Sequence, residues 1–341
     1  MKRKVLVGLL LIFLGVVAWH HALIWYALNQ GYGQWRIIWN ARPVKEVLED
    51  PNFPDSLKSR LRLIDEIRQF AIDSLGLKDT ENYKTLFDQK GEEVMWVVTA
   101  CEPFRFEAKT WKFPIVGTVP YKGFFDREKA LSLAKELEAE GWDVGLRNPG
   151  GWSTLGWFTD PILSGMLNRN DGDLASLIIH EMVHATIFVK DSVEFNENLA
   201  SFIADSAAYH FLRHKYGADS QPYKTYGYED LDYQHYSQHV LRGVNYLDSI
   251  YRSFSPTATI DEKNAAKQKA IKKIVSTMDT LTLYRFKIPN RFQERLPNND
   301  YFMNYRRYQS KQSNFKDELL QVYGGDLRKM IASYQQKFPF L

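Results

Sequence analysis

His180-Glu181-Met182-Val183-His184 stands within residues 174–205, the stretch that decides the fold, and has the form H-E-x-x-H. Side chains four residues apart lie on one face of an α-helix, one turn above the other. Both imidazoles can therefore reach the same metal ion, and Glu181 leans toward the same side. A glutamate in that place can take a proton from a metal-bound water. The spacing predicts a zinc site with His180 and His184 as ligands and Glu181 as general base.

The residues around this motif predict a buried helix. Residues 174–188 contain no glycine or proline, and Asp171, Gly172 and Asp173 can cap a helix N-terminus. Apolar side chains occupy almost every face of the segment, and a helix that is apolar all round is buried. Two histidines and a glutamate on such a helix are costly unless they are satisfied. One metal ion would satisfy all three.

Two other histidine pairs have the same spacing: His210 with His214, and His235 with His239. Neither pair has an acidic residue after its first histidine. Arg213 and Lys215 also flank the first pair and disfavour a nearby cation. We therefore predict that the His180 pair alone binds a functional metal.

The third ligand is predicted to be a carboxylate. A catalytic zinc usually has three protein ligands and one open position. The metzincin pattern would place glycine at 187 and histidine at 190, whereas this chain has Ile187 and Lys190. The candidates that follow the motif are Asp191, Glu194, Glu197 and Asp205.

Glu197 is the best placed of these carboxylates. It opens a second predicted helix that ends near Gly217, and small residues form its own face: Ala200, Ser201, Ala204 and Ala208. A face of small residues lets two helices approach closely, as a shared metal requires. Asp191 would lie roughly 10 Å beyond His184 along a continued helix, which is too far. Ser201 and Asp205 could orient the ligand histidines.

Further motifs accompany the zinc motif. They are Trp111-Lys112-Phe113-Pro114-Ile115-Val116-Gly117, Tyr121-Lys122-Gly123-Phe124-Phe125-Asp126, Ser153-Thr154-Leu155-Gly156-Trp157-Phe158, Asp160-Pro161, Phe195-Asn196-Glu197 and Asn298-Asn299. With these motifs the chain resembles a family of bacterial zinc aminopeptidases, which are usually membrane-attached and have a gluzincin-like site. The resemblance covers most of residues 30–335. It implies one zinc ion, a peptide or protein substrate and aminopeptidase activity.

The chain departs from that family in two places. Members are typically lipoproteins with a cysteine after the signal, and this chain has none there. Trp152 stands where the family tends to have tyrosine before Ser153. The first departure implies another kind of membrane attachment.

The pattern outside the zinc motif predicts an α+β fold that is predominantly helical. Residues 93–99, 113–117 and 142–146 are typical of strands, while most other segments have helical spacing. The resemblance implies a gluzincin-like core, in which a small sheet lies beside the H-E-x-x-H helix and its edge strand pairs with the peptide substrate. We expect residues 31–341 to form the zinc peptidase domain, with the zinc-binding helices in residues 171–217.

The N-terminus predicts a membrane anchor in residues 1–30. Residues 1–4 are basic, and residues 5–28 carry no formal charge, so as a helix they would span about 36 Å. The positive-inside rule keeps the basic end in the cytoplasm and places the catalytic domain on the extracytoplasmic side, periplasmic or outer. The alternative is a cleaved signal peptide with Val16-Val17-Ala18 as its cleavage site.

Composition excludes other classes. A net charge of +3 with scattered Lys and Arg does not favour nucleic-acid binding, and the single cysteine, Cys101, excludes an intramolecular disulfide. A Gly- and Trp-rich loop at residues 148–161 is either a packed corner or a wall of the substrate cleft. Tyr308 is the predicted phenol that holds the oxyanion.

Three functions stay open from the residues alone. An aminopeptidase needs an acid for the substrate's α-ammonium group, and Asp126, Asp160 and Glu194 are candidates. A zinc endopeptidase with the same site is the close alternative. A non-catalytic, membrane-anchored zinc scaffold is the third, although a structural zinc site has no use for the general base Glu181.

Overall fold

Helices dominate the architecture, and small sheets lie beside them. A computed structural model of the chain describes residues 15, 19–113, 117–149, 159–288 and 291–338. The helices are α1 His21–Asn40, α2 Val44–Glu49, α3 Asp55–Leu75, α4 Arg127–Ala139, α5 Asp171–His184, α6 Val193–Tyr216, α7 Gln221–Arg252, α8 Ile260–Ser276, α9 Arg291–Glu294, α10 Asn299–Gln309, α11 Gln312–Gln321 and α12 Leu327–Lys337. The predicted α+β class with a helical majority is confirmed.

The strands are short and form three sheets. They are β1 Arg42–Pro43, β2 Thr85–Phe87, β3 Trp96–Cys101, β4 Trp111–Phe113, β5 Gly117–Val119, β6 Lys122–Phe124, β7 Asp143–Arg147 and β8 Ile162–Leu163. One sheet has the order β1-β2-β8, a second β6-β3-β7, and β4 pairs with β5. In the second sheet β3 is the central strand and is antiparallel to both neighbours. Strand β7 is therefore an edge strand, and it ends at Arg147.

The main core forms where α5 packs between α3 and α6. Leu174, Ile178 and Ile179 of α5 are fully buried, as the apolar sequence of this helix predicts. On α6 the small residues Ala200 and Ala204 are fully buried, and they let the two helices approach closely. The helices that carry the site therefore lie in the main hydrophobic core.

Both ends of α5 differ from the sequence prediction. Asn170 caps the helix, because its side chain accepts a hydrogen bond from the Asp173 amide at 2.9 Å, whereas residues 171–173 lie inside the first turn. The helix ends at His184 rather than near Phe188. The Thr186 hydroxyl donates to the Met182 carbonyl at 2.7 Å and so competes with continuation of the helix.

The second sheet is joined to α10. Asn298 caps α10 and donates from its side chain to the Val144 carbonyl of β7 at 2.9 Å, and the Asn299 amide donates to Asp143 at 2.7 Å. Because α10 also packs on α6, it connects the edge strand with the zinc-motif helices and carries Tyr308 near its C-terminal end.

The N-terminal helix α1 packs on the same sheet. Its Tyr26 hydroxyl donates to the Gly123 carbonyl at 2.9 Å, and the Tyr26 ring stacks on Phe113. Residues 1–14 and 16–18 of the predicted anchor lie outside the described residues, as do residues 150–158 of the Gly- and Trp-rich loop. In the described part of the chain, no helix is long and apolar enough to cross a membrane.

Candidate active site

Three side chains of α5 and α6 converge on one point. The Nε2 atoms of His180 and His184 lie 3.0 Å apart, and Glu197 Oε2 lies 3.4 Å from the first and 3.6 Å from the second. A zinc ion with bonds of about 2.0–2.1 Å to tetrahedral ligands would separate them by about 3.3 Å. The three donors therefore fit the vertices of one tetrahedral face. Within the described ranges, no other group of three His, Cys, Asp or Glu side chains could hold a metal ion.

The donors keep a small opening to solvent. The side chains of His180, His184 and Glu197 are 18%, 9% and 16% exposed. A structural zinc is enclosed by four protein ligands, whereas a catalytic one keeps an accessible fourth position. Three donors with one open side correspond to the second arrangement.

The link between α5 and α6 fixes the position of Glu197. Asn196 closes a two-bond clamp on Val189: its side-chain oxygen accepts from the Val189 amide at 2.9 Å, and its amide group donates to the Val189 carbonyl at 2.8 Å. The helix begins at Val193, so Glu197 lies in its second turn rather than at its start. The residue before the carboxylate therefore holds the connecting loop in place.

Charge at the cluster is balanced between the carboxylate and the imidazoles. Burial alone would raise the pKa of Glu197, but His184 and His180 outweigh it and hold that pKa well below its usual range. Burial would likewise lower the pKa of His180, and the hydrogen bond to Glu197 reverses the shift and raises it. Glu197 is therefore ionised at neutral pH, as a metal ligand must be.

Glu181 lies on α5 with the two histidines and lines the cleft beside them. It is buried, and burial raises its pKa, with Glu197 adding to the rise and the two histidines opposing it. A buried carboxylate with a raised pKa suits a group that must accept and release a proton. The Tyr83 ring is also buried, and the charge of Glu181 contributes to the raised pKa of its phenol.

Tyr308 lies on α10, close enough to the cluster for its phenol to interact with the charge of Glu197. Burial raises its pKa, the charge of Glu197 adds to the rise, and Arg147 and Arg307 oppose it. The Arg147 guanidinium carbon lies 5.9 Å from the centre of the Tyr308 ring. The phenol of Tyr308 and the guanidinium of Arg147, at the end of β7, thus line the same cleft as His180.

Tyr121 is a second phenol in this neighbourhood. Burial raises its pKa, and Glu197, Tyr308 and Glu181 all contribute to the shift. It precedes β6, on the opposite side of β3 from β7. Tyr121 lies in one of the motifs that carry the family resemblance, but the sequence predicts no role for it, and no sequence pattern points to Arg147.

A cleft of about 1100 Å³ opens beside the donors, and its walls include His180, Glu181 and Tyr308. Charged residues of both signs line it: Asp173, Asp205, Glu229 and Asp230, with Arg147, Arg169, Arg285 and Lys287. Asn148 and Pro149, the described start of the Gly- and Trp-rich loop, also line it. The volume is that of a site for a small ligand or several peptide residues.

The acidic wall of the cleft is not uniformly paired. Glu229 accepts from Arg285 Nε at 3.0 Å. Asp205 instead accepts from the Ser176 hydroxyl at 2.8 Å, and Asp230 accepts from the Tyr209 hydroxyl at 2.8 Å. Burial raises the pKa of Asp205 to about 6, and the nearby Asp230 adds to the rise. At neutral pH Asp205 is therefore mostly ionised, with hydroxyl groups as its partners.

Several acidic candidates from the sequence lie elsewhere. Glu194 pairs with Lys311 at 3.3 Å, Asp191 accepts from the Thr118 amide at 3.3 Å, and Asp126 caps α4. Asp160 is buried two residues before β8, and its main-chain amide donates to the side-chain oxygen of Asn82 at 3.0 Å. Asp205 was expected to orient a histidine, but its hydrogen bonds go to Ser176 and to Tyr226, the latter at 3.4 Å.

The other histidine pairs are engaged with the backbone or with aromatic rings. His239 Nε2 lies 3.0 Å from the Ile274 carbonyl, and His235 Nδ1 lies 3.2 Å from the Thr282 carbonyl. His214 packs against the Phe70 ring with centroids 5.8 Å apart. These contacts account for three of the four histidines without a ligand.

A comparison with protein-family models matches residues 25–337 of the chain to the family described as Putative aminopeptidase. The match covers most of the chain and includes every residue of the cluster. No curated protein matches the chain, and no solved structure matches it.

Proposed function

The chain belongs to the family described as Putative aminopeptidase, and from that premise we propose that it is a zinc metallopeptidase that removes residues from the N-terminus of peptides. Family membership supports a peptidase in general terms. The observation that carries the finer proposal is the convergence of His180, His184 and Glu197 within 3.0–3.6 Å of one another. Glu181 follows the first histidine on the same helix and supplies the base.

Zinc is the proposed ion because of the donor set. Two imidazoles and one carboxylate form a typical catalytic zinc site, while hard cations such as Mg²⁺ prefer an all-oxygen site. His180, His184 and Glu197 would hold the ion. When bound, it would polarise the scissile carbonyl and make a water more acidic.

Glu181 is the proposed general base. It lines the cleft next to His180, where it would accept a proton from the attacking water and deliver it to the leaving amine. Its raised pKa, caused first by burial, brings its proton affinity closer to neutral pH. The two ligand histidines keep the ionised form accessible by opposing that rise.

Tyr308 and Arg147 are the proposed groups that stabilise the oxyanion. A donor fixed in place before the reaction stabilises the charge that develops on the carbonyl oxygen. Tyr308 offers a phenolic hydrogen, and the Arg147 guanidinium beside its ring carries a permanent positive charge. The cation also makes the phenol a better hydrogen-bond donor.

The peptide substrate is proposed to pair with the edge of β7. The Val144 carbonyl accepts from Asn298 and so points away from β3. The main-chain groups of successive strand residues point to alternate edges, so the amide and carbonyl of Leu146 face the same outer edge as those of Val144. Leu146 directly precedes Arg147, which lines the cleft. A peptide in extended form could add to this edge by main-chain hydrogen bonds, as other strand-binding proteins allow.

N-terminal specificity is proposed to come from the acidic wall of the cleft. Asp205 and Asp230 are held by hydroxyl groups, so their negative charge is available to an ammonium group. Asp205 lies close enough to His180 for their charges to interact. A free N-terminus placed there would bring the first peptide bond toward Glu181.

We further propose that the protein is attached to a membrane through the uncharged residues that precede α1, with the catalytic domain on the extracytoplasmic side. Residues 21–28, the end of the run predicted from sequence, belong to α1, which packs on the sheet. The basic residues 1–4 and the uncharged run after them support this orientation. Full-length protein that stays with membranes after carbonate extraction would agree with it. A soluble protein whose N-terminus starts near Trp19 would instead indicate a cleaved signal peptide.

Product analysis on matched peptides tests the proposed activity. Each peptide is offered with a free and with an N-acetylated N-terminus, and the products are identified by mass spectrometry. We expect stepwise release of single residues from the free peptides and no release from the acetylated ones. Equal internal cleavage of both would make the protein an endopeptidase. One bound zinc without any hydrolysis would favour the scaffold.

A further inference from the structure

Helix α1 has an exposed aromatic face that the peptidase site does not use. The aromatic face consists of Trp25, Leu28, Tyr32, Trp35 and Trp39, which are 64%, 61%, 65%, 52% and 73% exposed. Their spacing alternates between three and four residues. At 3.6 residues per turn these side chains fall within an arc of about 80° and extend over about 21 Å. Exposed apolar side chains grouped in this way mark an interaction surface.

The opposite face of α1 packs against the rest of the domain, so the aromatic face points toward solvent. Gln34 and Ile37 are buried, and Tyr26 is bonded to the Gly123 carbonyl. Gly33 lies so close to the Phe125 ring that an added Cβ would meet it at 2.1 Å. Trp35 also contacts Tyr32 and Trp39, with centroids 6.1 and 5.5 Å away. The aromatic face therefore belongs to a docked helix with a defined orientation.

The chemistry of this face suits the headgroup region of a bilayer. Trp and Tyr favour the membrane–water interface, because their rings are apolar and their N–H and O–H groups need polar partners. Helix α1 contains no Asp or Glu, its Arg36 is exposed, and Lys129 lies 5.8 Å from the centre of the Trp25 ring. The groove beside the helix sets Arg36, Lys122 and Lys129 against Asp126 and Glu136. The groove therefore has one positive charge in excess, which adds to the attraction of anionic lipid.

The sequence before α1 also favours a lipid membrane as the partner. The uncharged residues 5–20 directly precede the helix. A second copy of the chain is a poorer occupant, because close helix pairing prefers Leu, Ile and Val at the contact positions rather than three tryptophans. We propose that the aromatic face of α1 lies in the headgroup region of the membrane and holds the domain against the bilayer. This proposal is independent of the zinc site.

Site-directed spin labelling of the full chain tests the proposal. Cys101 is fully buried, so a nitroxide reagent would be directed to an introduced cysteine. The variants are Tyr32→Cys, Trp35→Cys and Trp39→Cys. The matched control is Ile260→Cys at the start of α8, also an exposed apolar residue at 68% exposure. Each labelled protein is reconstituted in vesicles of phosphatidylethanolamine and phosphatidylglycerol, and its relaxation by oxygen and by a water-soluble nickel chelate is measured.

We expect the three labels on α1 to gain oxygen accessibility and lose nickel accessibility relative to the label at position 260. Labels as accessible to nickel as the control would overturn the proposal, whether or not the anchor is in the membrane. Nickel protection with dipolar broadening between labels and no gain in oxygen accessibility would overturn it in favour of a second copy. Because hydrolysis is not measured, failure of the peptidase proposal would leave this result unchanged.

Discussion

The side-chain amide of Asn198 donates to the main-chain carbonyl of Arg307, so the residue after Glu197 holds the residue before Tyr308. The same side chain accepts from the Lys311 amide at 2.9 Å. Asn198 is fully buried, and these bonds join the second turn of α6 to the junction of α10 and α11. The proposed metal ligand and the proposed oxyanion donor are thus positioned by one amide side chain.

Replacement of Asn198 is expected to impair turnover without removing the metal. Asn198→Ala should lower kcat by about 10- to 100-fold, the usual effect of losing a group that orients a site. Zinc content after dialysis should stay at one equivalent. Thr259→Ala is the control, because it removes the cap of α8 and lowers stability by about 1 kcal/mol far from the cleft. Equal loss of kcat in both variants would reduce Asn198 to a structural residue.

The third ligand can be tested by a pair of carboxylate variants. Glu197→Ala removes one of three converging donors and should lose zinc during dialysis. Glu194→Ala lies one turn away on the same helix, pairs with Lys311, and should keep a full equivalent. Zinc per protein is measured for both, with circular dichroism to establish that both are folded. The reverse pattern of zinc content would refute the assignment of Glu197.

The zinc motif could be read from sequence because its information is local. His180, Glu181 and His184 occupy one helix, and a helix fixes which of its own residues share a face. Glu197 could be chosen because small residues follow it and let α6 approach α5. Its role as a ligand stays a prediction, but the arrangement that the role requires is present in the fold.

Other members of the cleft could not be found in this way. Arg147 reaches Tyr308 only because β7 is an edge strand joined to α10, and no local pattern encodes that contact. Asp205 has a helical position suited to a histidine, but its carboxylate accepts a hydrogen bond from the Ser176 hydroxyl of α5. Helix α5 ends at His184, before the end of the apolar run, where the Thr186 hydroxyl bonds to the Met182 carbonyl and accepts from the amide of Lys78, a residue distant in sequence.

Tyr308 and Tyr121 form a matched pair for the oxyanion prediction. Tyr308→Phe should reduce kcat by about 10²–10³-fold with little change in KM, since the donor acts on charge that develops in the transition state. Tyr121→Phe removes the corresponding hydroxyl from the second phenol near the cluster and should change kcat far less. Steady-state kinetics of both variants distinguish them. A larger defect in Tyr121→Phe would transfer the role to Tyr121.

The acidic wall predicts a substrate-specific effect on binding. Asp205→Asn should raise KM for peptides with a free N-terminus about tenfold to a hundredfold, the loss expected for a hydrogen bond to a charged group worth about 1.5–3 kcal/mol. Ser176→Ala is the control, because it keeps the carboxyl group of Asp205. Loss of the hydroxyl bond raises the pKa of Asp205, so KM should rise in this variant too, but less than in Asp205→Asn. The two KM values are compared at pH 7, where Asp205 is mostly ionised. An unchanged KM in Asp205→Asn would place the ammonium group elsewhere.

The most direct test of the zinc-peptidase assignment is zinc content and peptide hydrolysis measured together for the parent protein and Glu181→Gln. The amide keeps the size of the carboxylate but cannot accept the water's proton, and loss of a general base typically lowers the rate by about 10²–10⁴-fold. We predict one zinc per chain in both proteins and hydrolysis by the parent alone. Hydrolysis by Glu181→Gln within about tenfold of the parent, far above the range for a lost general base, would contradict the account, as would hydrolysis by a parent protein that contains no metal.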